Sequence, residues 1–159
     1  MSRPGSTLIL GIGNSLLRDE GAGIHALHRL REELDERDDL TFLDGGTLSF
    51  TLASHIEDAD RLIVIDAAQL GAAPGHSQVF EGEAMDAFLG SNRKRSVHEV
   101  SLLDLMMIAR LADLLPPQRA LIGIQPAEID WGEQPSAAVA ASLPTVCAQA
   151  VRLMEEWNA

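Results

Sequence analysis

The chain has 159 residues, enough for one domain with one core, and 46% of them are hydrophobic, which excludes a chain disordered by composition. Its 24 acids against 12 Lys and Arg leave a formal net charge of -12, which argues against nucleic-acid binding because a phosphate backbone would be repelled. A single cysteine, Cys147, excludes an internal disulfide or a multi-cysteine zinc site, and no apolar run approaches the roughly 20 residues that span a bilayer. The apolar stretch near the N-terminus is too short for a signal peptide. The expectation is one soluble, cytoplasmic domain over residues 1–159.

Strand-like and helix-like segments alternate along the chain. "TLILGIG" (7–13) reads as a strand ending in glycines. From Gly21 to Glu36, apolar residues at Ile24, Leu27, Leu30 and Leu34 make a helical stripe. "LTFLDGG" (40–46) is a second strand and "LSFTLASHIED" (48–58) a short helix. "RLIVIDAA" (61–68) is apolar on both faces, as interior parallel strands are. "SQVFEGE" (77–83) reads as an edge strand, "SLLDLMMIARLADLL" (101–115) as a helix closed by Pro116 and Pro117, and "RALIGIQ" (119–125) as the last strand. Residues 136–157 read as an Ala-rich helix that Pro144 should kink or restart. Segments 69–76, 90–97 and 127–136 read as loops without fixed structure. The fold class is therefore α/β: a three-layer α/β/α sandwich around a twisted, mostly parallel five-stranded sheet.

In such sheets ligands bind outside the carboxyl ends of the strands. Asp19 and Glu20 follow the first strand, Asp44 the second and Asp66 the third; His98 precedes the long helix, and Gln125, Glu128 and Asp130 follow the last strand. Several carboxylates and an imidazole in one mouth repel or compete unless a cation sits among them. Glu, Asp and His together suit a divalent transition metal, and three protein ligands leave open positions. Each residue also has a plain structural reading. Asp66 could cap a turn, Glu20 favour a helix N-terminus and His98 be an ordinary loop histidine. His25 and His28 lie along a helix and read as structural, His55 and His76 as exposed, and Cys147 as a small buried hydrophobe. Dinucleotide binding is disfavoured. The third glycine of the fingerprint is replaced by Leu16, and the acids that follow would repel a pyrophosphate.

"GIGNSLLRDEGAGIHAL", "DGGT", "LIVIDAA", "SVHEVSLLDLM" and "LIGIQPAEIDWG" occur in that order over roughly residues 7 to 155. Together they resemble the nickel–iron hydrogenase maturation endopeptidases. The resemblance implies removal of a C-terminal extension from a nickel-loaded hydrogenase large-subunit precursor, the precursor being the partner. It implies metal contacts at Glu20, Asp66 and His98, with nickel supplied by the substrate or another divalent metal in its place. It implies a role in cleavage or recognition for Asp44, the candidate catalytic residue. Ser49 and Trp131 depart from the family pattern, in loops expected to touch the substrate. A non-catalytic nickel-binding accessory protein with the same ligands is the alternative.

Overall fold

The structure, a computed structural model, describes residues 5–34, 37–46, 48–91, 101–127 and 130–158. Five strands, β1 (Thr7–Ile12), β2 (Leu40–Gly46), β3 (Arg61–Ala67), β4 (Ser77–Glu81) and β5 (Gln118–Ile124), form one sheet in the order β2-β1-β3-β5-β4. β2, β1, β3 and β5 are mutually parallel; β4 runs antiparallel along the edge beside β5.

Five α-helices cover the two faces: α1 (Ala22–Glu33), α2 (Leu52–Asp58), α3 (Glu83–Ser91), α4 (Leu102–Leu111) and α5 (Ala137–Asn158). Side chains alternate across a strand, so each strand feeds two cores. Ile63 and Ile65 of β3 join Leu27 and Leu30 of α1 and Val146 and Leu153 of α5. Leu62 and Val64 join Ile56 of α2, Met85 of α3 and Leu105 of α4 on the other face. The four residues Leu62–Ile65 are wholly buried. Each is worth about 1.5–3 kcal/mol of transfer free energy, which is why this strand lies in the middle of the sheet.

Several elements differ from their sequence expectations. α1 stops at Glu33 because Leu34 is extended. α2 begins at Leu52, after Leu52 and Ala53 have turned back onto Ser49 and Phe50 through backbone bonds. α4 ends at Leu111, well before the prolines. Asp113 adopts a left-handed conformation (φ 60°) and the Leu114 amide reaches back to the Ala109 carbonyl, a closed C-terminal cap. α3 was not foreseen; its apolar residues Met85, Phe88 and Leu89 follow helical spacing directly behind the edge strand. α5 runs continuously through Pro144. The residue whose carbonyl loses its partner, Ala140, is exposed, so the missing bond falls on the solvent side of the helix and not in the core. By length and apolarity α5 would suffice to cross a membrane, against the expectation from the sequence; here Val139, Val146, Cys147, Ala150, Leu153 and Met154 bury it against the sheet.

Candidate active site at the carboxyl edge of the sheet

The chain leaves β1 through α1 on one face to reach β2, then crosses through α2 on the other face to reach β3. The winding reverses between β1 and β3. In open α/β sheets the ligand crevice lies at such a reversal, here at the carboxyl ends of these two strands.

A 3-10 turn, Arg18–Gly21, links β1 to α1 and lies against β3. Two glycines seat it. Gly13 has φ 139°, and a Cβ there would stand 2.0 Å from the Glu20 carbonyl oxygen. At Gly23 a Cβ would stand 2.1 Å from the Ile65 carbonyl oxygen and 2.5 Å from that of Ile12. The first turn of α1 therefore rests directly on the ends of β1 and β3, and only glycine permits that approach. This seating puts Glu20 at the reversal point. Asp66 is the residue after Ile65 and shares the sheet face of Leu62 and Val64. α4, which begins four residues after His98 in the sequence, covers that same face.

Glu20 is half-buried; its amide donates to the Leu17 carbonyl, and its side chain makes no hydrogen bond or ion pair among the described residues. It does not cap α1, whose cap residue is Gly21. Asp66 is half-buried. Asp44 is exposed near the end of β2, paired in register with Gly11 of β1. Its Oδ1 accepts from the Gly46 amide at 2.9 Å, and Gly46 in turn accepts from the Gly13 amide at 3.1 Å. Asp44 thus shapes the turn that borders the crevice. His98 and Glu128 lie outside the described residues. No group of three His, Cys, Asp or Glu side chains among the described residues could hold a metal by itself.

Asp19 differs from its sequence reading. Expected to face a cation beside Glu20, it is wholly buried and turned the other way. It accepts from the Ala127 amide (2.7 Å), the Ser136 amide (2.7 Å) and the Ser136 hydroxyl (2.8 Å). Ser136 Oγ accepts in turn from the Val139 amide in the first turn of α5. Asp19 therefore clasps the loop after β5 to the loop after β1. Gln125, buried at the end of β5, does the same for the loop after β3. Its Oε1 accepts from the Leu70 amide at 2.6 Å, its Nε2 donates to Gln69, and its backbone pairs with Gly75 and His76. Segments 69–76 and the described part of 127–136, expected to lack fixed structure, are held by these two side chains. No local sequence signal marks either one, because their partners lie more than 50 residues away.

His28, His55 and His76 are exposed. His25 has a buried Nε2 without a hydrogen-bond partner among the described residues; burial, and secondarily the nearby His28, holds its pKa below 6.5. Burial pushes the Cys147 thiol up to about 11, which excludes a thiolate nucleophile at neutral pH.

With this geometry in view, the comparisons are specific. Residues 24–153 match the family model described as hydrogenase maturation protease. The chain is 36% identical over 152 residues to hydrogenase expression/formation protein HupD of Rhizobium leguminosarum bv. viciae, covering 95% of this chain and 75% of that one. It is 31% identical over 124 residues to the hydrogenase 2 maturation protease of Escherichia coli K12, covering 77% and 74%. Among solved structures, the hydrogenase maturating endopeptidase HybD from E. coli superposes with a TM-score of 0.87 at 28% identity, covering 94% of this chain and 92% of that one. The corresponding protease HybD from Thermococcus kodakarensis gives 0.72 at 28% identity, covering 93% and 98%. The family match over residues 24–153, the curated relatives and the superposition thus agree, and the chain belongs to the hydrogenase maturation proteases.

Proposed function

We propose that this protease removes a C-terminal extension from a hydrogenase large-subunit precursor that already carries nickel, and that Glu20, Asp66 and His98 read that nickel. The metal is then part of the substrate, and a precursor without it is not cut. The observation that carries the reading is the seat of Gly23 on the Ile65 carbonyl. It supports a shared position for Glu20 and Asp66, 46 residues apart in sequence, at the reversal point of the sheet. A half-buried Glu20 side chain with no partner among the described residues is suited to an incoming cation. Two carboxylates with one imidazole suit nickel, whereas an alkaline-earth ion would take oxygen alone.

Hydrolysis needs a water to attack the scissile carbonyl, a base to take its proton, and a proton for the departing amine. In this reading Asp44, exposed on the bordering turn, takes the water's proton as that base and returns it to the departing amine. Nickel bound near the scissile carbonyl would polarise it.

The test is a mass-resolved cleavage assay on purified precursor with and without nickel. Loss of the C-terminal peptide only from the nickel-loaded form is expected. Glu20→Ala, Asp66→Ala and His98→Ala should each abolish the mass loss while leaving the thermal midpoint near that of the parent. Normal processing by all three refutes the assignment. Stoichiometric capture of the nickel-loaded precursor with no cleavage favours the accessory role.

A further inference from the structure

Among the described residues six large hydrophobic side chains are conspicuously exposed, and three of them, Leu16, Phe50 and Trp131, belong to the loops at the carboxyl edge of the sheet. The other three, Met107, Leu111 and Leu114, belong to α4 and the turn that ends it. Leu16 and Trp131 are 49% and 78% exposed, yet the backbone is held at Leu16 and at Gly132, the residue after Trp131. The Gly132 amide donates to the Leu16 carbonyl at 2.8 Å, the Arg18 amide donates to the Gly132 carbonyl at 2.9 Å, and Leu17 bridges to Gly132 as a short parallel pair. Asp19 fixes Ala127 on one side of this pair and Ser136 on the other.

We propose that Leu16 and Trp131, with Phe50 on the neighbouring loop, are the docking ledge for an apolar, basic-flanked segment of the precursor next to the scissile bond. The inference rests on the proteolytic reading above and names the surface that presents the substrate to it. Three observations converge. An aromatic side chain on a pinned backbone loses little entropy when a partner covers it, which is what a recognition anchor requires. The ledge and the candidate metal-reading residue share one loop, Leu16 standing four residues before Glu20, so a segment seated on the ledge lies beside that residue. Asp130 and Glu133, both exposed, flank Trp131 on a chain of net charge -12; the cation Arg18 lies beside them, its side chain against Gly132, but acids outnumber it, so the complement of this surface is apolar with cationic neighbours.

The test uses the full chain and nickel-loaded precursor. Trp131→Ala and Leu16→Ala should each lower kcat/KM by about tenfold or more, through KM, with kcat at saturation within about twofold of the parent. Leu111→Ala, which removes an 85%-exposed side chain from α4, should leave both constants unchanged. A second readout is independent of any loss at the ledge. The chain has two tryptophans, and Trp157 packs against the core, so Trp157→Phe leaves Trp131 as the sole indole emitter. Its emission should shift to shorter wavelength as precursor is added. Unchanged KM in both ledge variants, or an emission maximum indifferent to saturating precursor, overturns the ledge. A parent enzyme that cuts normally beside such variants leaves the proteolytic reading standing. A parent that never cuts nickel-loaded precursor sinks that reading instead.

Discussion

Asp19 and Asp86 anchor opposite parts of the molecule in different ways. Asp19, at the carboxyl edge, accepts from two backbone amides and a hydroxyl and thereby organises loops. Asp86, on α3, meets two guanidiniums. Arg119 of β5 grips it with Nε at 2.9 Å and Nη2 at 2.5 Å, and Arg110 of α4 adds a contact at 2.9 Å. The Arg119 hydrogen bonds hold the Asp86 carboxyl below its ordinary 3.8 against the opposing effect of burial, and Asp86 raises Arg119 in return. The first clasp shapes backbone that surrounds a site. The second locks helices onto a strand away from it. A polar group can therefore be buried in this fold either to present function or to hold packing, and the partner type distinguishes the two.

The sharpest way to break that contrast is Asp19→Ala. It leaves the Ala127 and Ser136 amides and the Ser136 hydroxyl without their acceptor in a closed site. A loss of about 3–4 kcal/mol is expected from three charge-assisted bonds and their stranded donors. Urea denaturation checks the magnitude. Hydrogen exchange should localise the loosening to residues near 127 and 136, and precursor cleavage should fall with it. Full cleavage in a loosened Asp19→Ala would show that the clasp does not serve the site.

Asp86→Ala should cost about 3 kcal/mol, because it strands the nearly buried Arg119. Unlike the first variant it should leave kcat on nickel-loaded precursor unchanged at temperatures where it remains folded. Equal loss of kcat in both variants would erase the distinction between the two regions.

Acid gives the smallest and finest separation. His25 lies beside Asp19, His28 and the backbone of Glu133, with its pKa held below 6.5 by burial. For a histidine lowered in the native state, the unfolded chain takes up the proton first, so stability declines as pH falls below 6.5. Asp86 has the opposite chemistry but the same direction. Its contribution is intact above 3.8 and is lost as pH falls further, toward its depressed native value. Denaturation midpoints across pH should thus fall in two steps, the first absent in His25→Gln and the second absent in Asp86→Ala. A first step that survives His25→Gln would reassign it.

Much of the frame was readable from local pattern. β2 occupies the predicted residues 40–46, and β1, β3, β4 and β5 end within two residues of their expected limits. Short apolar runs between glycines and helical stripes carry that information locally. What could not be read locally concerns compensation at a distance. Pro144 looked disruptive because the exposure of Ala140 is a tertiary fact. The 69–76 loop looked loose because Gln125 belongs to another strand.

The adjacent pair Asp19-Glu20 marks the boundary. By itself the sequence determined that two acids follow a glycine-ended strand, that the sheet is mostly parallel, and that Asp44 and Asp66 lie near the ends of its strands. Only the tertiary structure decided that Asp19 turns inward to hold loops while Glu20 stays at the crevice. Neighbouring side chains on a 3-10 turn point about a third of a turn apart. Which of them meets the interior depends on where Gly13 and Gly23 let the turn settle against β1 and β3.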